Sequence, residues 1–360
     1  MKMKLLIYMH DLKDGGAQKS FVILANELAN IGIEVAIATL DIGLIGKQVS
    51  KKVTVYLMKS SRTLLCFNEF NSIVNNFKPT HMLTGLLQNN ILLTTYKKLF
   101  QYKGKVIVSE HSIPSMIERQ QMGVILKVCS LLRPLLYRLA DKIVAVSDHC
   151  KNDLINNIGL PKHLITRIYN PVNITVSTEN KPKLLENFNY CKSIIFIGRL
   201  HKVKRVDLLL YAFCLLKKDN SEVHLFIMGD GEERQSLELQ VTQLELKSDV
   251  TFLGYVDTPS NFLKHMDCLV LSSSVEGFGN VVVEALANSV PVVSTRSAGP
   301  EEIIVDGVHG SLCGHTAESL KNSINKVLTS DFKSHDLVSR AKVFSPNCIS
   351  LEYIEMFRNV

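Results

Sequence analysis

Short apolar runs alternate with amphipathic stretches along most of the chain. The apolar residues 4–9 and 33–40 flank an amphipathic stretch at about 17–30, which ends before Gly32. This order of strand, helix and strand predicts a right-handed parallel unit, so we expect an α/β fold. Further buried strands are predicted at 53–57, 81–84, 105–109, 141–147, 164–168, 193–198, 224–229, 250–253, 267–271 and 291–294.

The length of 360 residues predicts two domains. The strand pattern is interrupted after Pro171, and the polar stretch 173–182 indicates a linker. We therefore predict domains at 1–170 and 171–345, followed by a C-terminal helix within 346–360. The other helices are predicted at 17–30, 67–77, 90–100, 149–157, 203–217, 280–288, 316–328 and 334–343.

The composition indicates a globular protein that attracts anions. Hydrophobic residues make up 46% of the chain and charged residues 21%, and the formal net charge is +7. An excess of positive charge favours anionic substrates or an anionic membrane face. Nucleic acid is the other interpretation, but no basic run with interleaved aromatic residues occurs in the sequence, so we expect no nucleic-acid partner.

The cysteines and the N-terminal residues indicate a reducing compartment. The eight cysteines are scattered and form no C-x-x-C pair, so we expect reduced core residues and no metal site. The first apolar run is too short for the core of a signal peptide. No apolar run in the sequence reaches the length needed to span a membrane. These features predict a cytoplasmic protein.

The segment 122–140 (MGVILKVCSLLRPLLYRLA) is strongly apolar but contains charges. Those charges argue against a membrane-spanning helix, and Pro134 predicts a kink or a new helix start. An apolar surface with basic residues can lie on an anionic bilayer. A core helix of the first domain is the alternative. The basic residues in and next to the segment are Arg119, Lys127, Arg133 and Arg138.

The stretch 272–299 combines two carboxylates with a glycine-flanked loop. Glu276 lies in the loop, and Glu284 lies one turn into a predicted helix that is otherwise almost entirely apolar. A buried, unpaired carboxylate costs several kcal/mol, roughly, so Glu284 requires donors such as the hydroxyls of a ligand. The start of the helix near Asn280 offers free N–H groups and a partial positive charge, which suit a phosphate. The alternative is an ordinary loop and helix with Glu284 bonded internally.

Three other places contain candidate chemistry. Gly15 and Gly16 follow the first strand, and His111 follows a buried strand, at the sheet edge where α/β proteins bind ligands. Arg199 and Lys204 lie near the start of a predicted helix, where two cations oppose the helix dipole and favour an anionic ligand. Each place also has a structural alternative. The glycines can form an ordinary tight turn, His111 can be a structural histidine, and the two cations can lie in a solvated basic corner.

Nearly the whole chain resembles the retaining nucleotide-sugar glycosyltransferases of family 4, which have the GT-B fold. The resemblance is strongest over 193–310 and weak over 41–104. The resemblance rests on Glu276-x7-Glu284 within EGFGNVVVEA, on PVVST and GPEEI after it, and on GRLHKVKRVDLLL before it. It implies two Rossmann-like domains facing across a cleft, with the C-terminal helix crossing back to pack on the first domain. It also implies that Glu276 contacts the transferred sugar and that Glu284 binds the ribose hydroxyls of the nucleotide.

The resemblance gives roles to the other candidates. Arg199 and Lys204 would neutralise the diphosphate leaving group, and His111 would approach the sugar or the acceptor, so these three and Glu276 form the expected catalytic set. No metal and no cofactor are implied, because cationic side chains replace the metal. The expected donor site also contains Gly15, Gly16, Gly229, Val256, Gly277, Phe278, Gly279, Asn280 and Glu284.

Two positions depart from the pattern of this family. Ser289 stands where relatives usually have glycine after the helix. A serine in a left-handed conformation there costs roughly 1 kcal/mol, unless Asn288 forms the cap. Arg296 stands where close relatives often have aspartate, so the specificity of relatives does not transfer to this chain.

The resemblance predicts a retaining glycosyltransferase. It would move a hexose or N-acetylhexosamine from a UDP-sugar to a glycan or lipid-linked acceptor in the biosynthesis of lipopolysaccharide, capsule or another polysaccharide. We expect a cytoplasmic enzyme, peripheral on the inner face of the cell membrane through residues 119–140. The alternatives are a non-catalytic nucleotide-sugar-binding subunit and a GT-B nucleotide-sugar epimerase. A dehydrogenase is disfavoured because the G-x-G-x-x-G fingerprint is missing.

Overall fold

A computed structural model describes residues 3–13, 15–59, 66–117, 123–174, 182–185, 192–219 and 222–360. The chain divides into two compact units, one formed by Met1–Asn173 with Phe344–Val360 and the other by Ile174–Val343. The predicted linker and the predicted membrane segment fall partly outside the described residues. Arg119, Met122 and residues 175–181 belong to the part that the structure does not describe.

The first unit is built on a parallel sheet. Within the described ranges it has seven strands in the order β3-β2-β1-β4-β5-β6-β7. Nearly every strand position is buried in β1, β2, β4 and β5, as expected for a parallel sheet that is covered on both faces. The strands are β1 (Lys4–Tyr8), β2 (Glu34–Thr39), β3 (Thr54–Leu57), β4 (His81–Gly85), β5 (Lys105–Glu110), β6 (Lys142–Ala145) and β7 (Ile165–Arg167).

Helices connect these strands and cover the sheet. Apolar side chains of α1 and the sheet share one core cluster, and those of α2 and α3 share another. The helix α5 runs through Pro134 and ends two residues later, so Pro134 does not start a new helix. The helices are α1 (Gly16–Asn30), α2 (Cys66–Phe77), α3 (Leu87–Leu99), α4 (Pro114–Ile117), α5 (Val124–Leu136) and α6 (Asp148–Asn156).

The second unit repeats this architecture with a second parallel sheet. Its six described strands have the order β10-β9-β8-β11-β12-β13. They are β8 (Lys192–Ile197), β9 (Val223–Met228), β10 (Val250–Gly254), β11 (Cys268–Leu271), β12 (Val292–Thr295) and β13 (Gly310–Cys313). The connecting helices are α7 (Val206–Asp219), α8 (Arg234–Gln243), α9 (Ser260–Leu263), α10 (Asn280–Ala287), α11 (Gly299–Ile303), α12 (Ala317–Thr329) and α13 (Ser334–Lys342).

The last helix, α14 (Pro346–Arg358), belongs to the first unit. Its apolar side chains Ile349, Tyr353 and Phe357 lie in the same core cluster as α1. The ring of His81 at the start of β4 lies against Phe357, with its Nε2 atom 3.1 Å from the Phe357 carbonyl oxygen. The end of the chain is therefore held by both apolar contacts and a polar contact.

Both sheets have a point at which the strand order reverses, between β1 and β4 in one and between β8 and β11 in the other. In open α/β sheets, ligands bind beyond the carboxyl ends of the strands at this point. The predicted α/β class with two Rossmann-like sheets is confirmed. The parallel pairing of β8 with β11 brings the loop after β8, which contains Arg199, next to the segment 272–280 after β11.

Ser289 adopts the left-handed conformation after α10. Its φ is 62°, whereas Asn288 has a φ of −93°. Asn288 is the C-cap residue of α10, and its side-chain amide donates to the Glu284 carbonyl oxygen at 2.8 Å, but the left-handed position still falls on Ser289. The Ser289 hydroxyl lies 2.5 Å from the Ser334 hydroxyl at the start of α13, which partly offsets the backbone strain.

We predict that glycine at position 289 relieves this strain. In a Ser334→Ala background, where the hydroxyl contact is absent, Ser289→Gly should raise the free energy of unfolding by about 1 kcal/mol. Urea denaturation measures the change. Ser330→Gly is the matched control, because Ser330 has a φ of −99° and no strain to relieve. A loss of stability with Ser289→Gly in this background would contradict the prediction.

Candidate active site

Two loops of the second unit are joined at the reversal point of its sheet. The chain leaves β8, passes through a 3-10 turn at Lys202–Lys204, and enters α7 at Val206, later than the predicted start near 203. The backbone N–H of Ser274 donates to the Val203 carbonyl oxygen at 2.8 Å. The Ser272 hydroxyl donates to the Lys204 carbonyl oxygen, also at 2.8 Å. These bonds hold the 3-10 turn against the loop that follows β11.

The structure brings two predicted site residues into direct contact. The Lys204 Nζ atom lies 2.5 Å from the Glu276 Oε1 atom, and the Ser273 hydroxyl donates to the same oxygen at 2.7 Å. The Glu276 side chain is mostly buried, and the Lys204 side chain is about one-quarter exposed. Among the described residues, no donor reaches the Glu276 Oε2 atom, so this oxygen can accept hydrogen bonds from ligand hydroxyls.

The backbone of Glu276 is fixed by the loop after β12. The Glu276 N–H donates to the Ser297 carbonyl oxygen at 2.8 Å, and the Gly299 N–H donates to the Glu276 carbonyl oxygen at 3.0 Å. Between these partners Ala298 has a φ of 78°, which is strained for alanine. Strain of this kind persists where surrounding contacts hold it and is concentrated at functional sites. Glu276 is therefore held rigidly from two sides.

The start of α10 provides an open anion-binding position. Gly279 precedes it with a φ of 98°, and no side chain caps the helix. The buried Phe278 anchors the loop in front of the helix. Free N–H groups at a helix start favour a negatively charged ligand. The predicted phosphate position near Gly277, Gly279 and Asn280 lies at this helix start.

Glu284 is half-buried, so the expectation of a fully buried carboxylate is wrong. Asn280, Val281 and Glu284 share one side of α10, and all three are only partly covered. The opposite side, which includes Val282 and Leu286, is fully buried. The helix therefore presents Glu284 on the same side as its own first residue, where the carboxylate can contact a ligand.

Arg199 lies in the loop that follows β8 and is exposed. Within the part of the chain that the structure describes, its guanidinium has no ion-pair partner, whereas Lys204 is paired with Glu276. Gly229 directly follows the neighbouring strand β9, and an added Cβ there would lie 2.0 Å from the Gly198 carbonyl oxygen. A glycine is therefore required for the two strand ends to approach. Val256 follows the end of β10 and is half-buried.

Gly15, Gly16 and His111 belong to the first unit. Gly15 has a φ of 128° and precedes α1, which begins at Gly16. An added Cβ at Gly15 would lie 2.5 Å from the Gln18 Oε1 atom. Both glycines follow the carboxyl end of β1, as the sequence predicts. Asp14, the residue before them, lies outside the described residues.

His111 follows β5 and is neutral at physiological pH. Burial lowers the pKa of its imidazole to about 4, and the Asn170 side chain partly opposes this shift. Its Nε2 atom lies 3.0 Å from the Ser109 hydroxyl, and its ring packs on Phe21 with ring centroids 5.1 Å apart. The ring can therefore donate or accept one hydrogen bond, but it carries no charge with which to bind an anion.

A buried polar network next to His111 was not predicted. Glu110 and Arg133 are both 2% exposed, and the Arg133 Nε atom lies 3.7 Å from the Glu110 Oε2 atom. The Tyr137 hydroxyl donates to the same Glu110 oxygen at 3.1 Å, and the Ser112 hydroxyl donates to Glu110 Oε1 at 2.6 Å. The sequence shows Arg133 only as one of several basic residues in an apolar segment, which gives no sign of its burial.

The outward face of α5 is apolar and exposed. Leu131 is 80% exposed and Leu135 is 66% exposed, and the basic residues Lys127 and Arg138 are also exposed. Arg133 points the other way, into the protein, so it is not part of this surface. We call this surface the α5 face, formed by Val124, Ile125, Val128, Leu131, Leu132 and Leu135.

Neither a membrane span nor a metal cluster occurs in the described ranges. None of their helices combines the length and the apolar character that crossing a bilayer requires. No group of three or more His, Cys, Asp or Glu side chains in these ranges is placed to hold a metal ion.

Two family models match adjacent parts of the chain. A model described as glycosyltransferase family 4 matches residues 14–176, and one described as glycosyl transferases group 1 matches residues 177–344. These two matches, which together cover residues 14–344, define the class of protein. The chain belongs to the family 4 glycosyltransferases, with the GT-B fold.

Individual relatives support this assignment. An alpha-1,4-N-acetyl-D-galactosaminyltransferase of Campylobacter jejuni, named for a diphospho-undecaprenol-linked substrate, is 27% identical over 94% of this chain and 93% of the relative. A second C. jejuni N-acetylgalactosaminyltransferase is 31% identical over 60% of this chain and 58% of its own length. With some curated relatives the match spans only 41 to 59% of their length.

The solved structures agree with the fold. HepE of Anabaena in complex with UDP-glucose superposes with a TM-score of 0.83 and 20% identity, covering 99% of this chain and 100% of that one. Sucrose-phosphate synthase of Thermosynechococcus elongatus superposes with a TM-score of 0.80 and 16% identity, with 99% of both chains covered. At this identity the likeness shows the fold alone.

We predict that His111 stays neutral well below pH 6. Since its folded pKa is below that of a free histidine, near 6.5, protonation is disfavoured in the fold. The free energy of unfolding should therefore fall as the pH drops from about 6.5 toward 4. Histidine-selective NMR gives the titration midpoint, and His111→Gln identifies the signal. A midpoint near 6.5 would contradict the described burial.

Proposed function

We propose that this protein is a retaining glycosyltransferase that uses a UDP-sugar donor. One observation carries the proposal: Lys204, Glu276 and the open start of α10 lie around the reversal point of one sheet. This arrangement combines cations for a diphosphate with a carboxylate for sugar hydroxyls. The solved structure of HepE with UDP-glucose favours uridine as the base.

In the proposed reaction, electrostatics carry most of the catalysis. Arg199, Lys204 and the N–H groups at the start of α10 stabilise the negative charge that develops on the leaving diphosphate. Glu276 accepts hydrogen bonds from the sugar hydroxyls and so orients the ring. Retention follows when the acceptor hydroxyl attacks from the face that the diphosphate leaves. The departing phosphate accepts the acceptor's proton, so no side-chain base is required.

The other residues of the expected site would make the remaining contacts. Glu284 lies on the partly covered side of α10 and would bind the ribose hydroxyls. The strand ends at Gly229 and near Val256 would hold the nucleotide base through backbone groups. His111, which is neutral, would donate or accept a hydrogen bond with the sugar or the acceptor rather than bind the diphosphate. Gly15 and Gly16 would allow the backbone to approach the donor.

The acceptor class is proposed from the relatives and from the α5 face. The two C. jejuni relatives are named for undecaprenol-linked glycans. We propose a glycan or lipid-linked acceptor in polysaccharide biosynthesis, with the protein at the inner face of the cell membrane. The exposed leucines of the α5 face and the nearby Lys127 would contact an anionic bilayer.

Replacing Glu276 tests the donor site. Glu276→Ala should reduce transfer at least about a hundredfold, because the sugar loses its orienting carboxylate. Binding of UDP should be retained, since the change also frees Lys204 to bind the diphosphate. Transfer is followed by nucleotide release, and UDP binding by calorimetry. Glu318→Ala, at an exposed carboxylate of the same unit, is the control. Full turnover in Glu276→Ala would refute the assigned role.

Replacing leucines of the α5 face tests membrane contact. The wild-type protein should float with anionic vesicles at low salt. Leu131→Ser with Leu135→Ser should reduce the bound fraction at least about tenfold, because two apolar side chains no longer enter the bilayer. The control is Leu239→Ser with Leu351→Ser, at two other exposed leucines. Failure of the wild type to float, or equal flotation of both variants, would overturn this part of the proposal.

A further inference from the structure

A small cavity lies beside His111 in the first unit. It is partly open, has a volume of about 110 Å³, and lies at the carboxyl ends of β4 and β5. It is distinct from the residues around Lys204 and Glu276, which belong to the other unit. Besides His111, it is lined by Leu86, Leu87, Glu110, Ser112, Pro114 and Arg133.

The backbone at the edge of this cavity is strained. Leu86 has a φ of 72°, a conformation that leucine rarely adopts. The preceding Gly85 is packed so closely that an added Cβ would lie 2.4 Å from the Phe21 ring. Strain of this kind is maintained only where surrounding packing enforces it, and it is concentrated at binding sites. The strained turn places Leu86 and Leu87 on the wall of the cavity.

The polar wall of the cavity contains one negative and one positive side chain, so its net charge is zero. Glu110 and Arg133 form a buried ion pair, and Ser112 and Tyr137 each donate one hydrogen bond to a different oxygen of the carboxylate, which can accept further bonds. A buried ion pair adds little stability compared with apolar residues of similar size, so stability alone does not explain its presence. An anionic ligand would be repelled by Glu110 and a cationic one by Arg133. The wall therefore favours an uncharged group with both a donor and an acceptor.

The volume limits the size of this group. A cavity of about 150 Å³ accommodates benzene, which has six non-hydrogen atoms. In proportion, about 110 Å³ accommodates roughly four such atoms. A whole sugar ring is too large, and a hydroxymethyl group would leave much of the apolar wall without contact. An acetamido group has four non-hydrogen atoms, one N–H donor, one carbonyl acceptor and a methyl group.

We propose that this cavity receives the acetamido group of an N-acetylated sugar. The methyl group packs against Leu86, Leu87 and Pro114, the N–H donates to the Glu110 carboxylate, and the carbonyl oxygen accepts from Arg133. This inference rests on the proposed function, which brings sugars to this chain. It adds a site for the N-acetyl group to the predicted site residues, and it gives the buried ion pair a role in binding.

A ligand series on the wild-type chain tests the cavity directly. Saturation-transfer NMR is recorded with methyl glycosides of N-acetylglucosamine, N-acetylgalactosamine and glucose. The acetyl methyl protons should receive the strongest saturation, and the N-butanoyl analogue should bind at least about tenfold more weakly, because the cavity cannot hold its longer chain. Saturation spread evenly over the ring, or equal binding of the N-butanoyl analogue, would overturn the proposal.

A matched pair of variants tests whether the N-acetylated glycosides bind in this cavity. Leu87→Phe fills the cavity and should weaken binding of the N-acetylated glycosides at least about tenfold. Leu99→Phe, the same substitution at an exposed position of α3, should leave it unchanged. Unchanged binding in a folded Leu87→Phe would overturn the assignment. If Leu87→Phe does not fold, the ligand series on the wild-type protein still tests whether the cavity binds the acetamido group.

Transfer assays distinguish the two sources of the acetamido group. A loss of about tenfold in kcat/KM with Leu87→Phe that is confined to N-acetylated acceptors assigns the cavity to the acceptor. The same loss confined to UDP-N-acetylhexosamines assigns it to the donor. Normal transfer with no such loss overturns the inference and leaves the proposed function intact. Absence of transfer with every donor refutes the proposed function, and the NMR series then tests the cavity alone.

Discussion

The ion pair between Lys204 and Glu276 is the interaction on which the candidate donor site depends. The two residues are far apart in sequence, and they meet because β8 and β11 are neighbours in a parallel sheet whose carboxyl ends share one edge. Two serine hydroxyls and several backbone bonds fix the loops on either side. A carboxylate and a cation held in this way are already oriented before a ligand arrives, so little reorganisation is needed on binding.

A second buried pair, Glu110 with Arg133, organises the first unit. It joins the end of β5, directly before His111, to the inner side of α5. The outer side of the same helix is the exposed α5 face. One helix therefore combines an apolar outer surface with a buried cation that lines the cavity beside His111. A change of either buried partner would leave the other charge unpaired, at a substantial energetic cost.

Much of the fold could be predicted from the sequence, because buried strands of a parallel sheet give nearly continuous apolar runs. The grouping of Arg199, Lys204 and Glu276 in one site followed from the family resemblance. The contact between Lys204 and Glu276 could not be predicted from the sequence, because it depends on how two distant loops pack. Arg133 was not recognised as buried, because an arginine in an apolar segment looks the same from sequence whether it faces inward or outward. Glu284 was expected to be buried from its apolar neighbours, but residues three and four apart on one side of α10 remain partly open.

The most direct test of the account is nucleotide release from a set of donors. The purified protein is given UDP-glucose, UDP-galactose, UDP-N-acetylglucosamine, UDP-N-acetylgalactosamine or GDP-mannose, with and without membrane lipid as acceptor. We expect a UDP-sugar to release UDP only when acceptor is present. Measurable UDP binding without release from any donor would contradict it and favour a non-catalytic nucleotide-sugar-binding subunit.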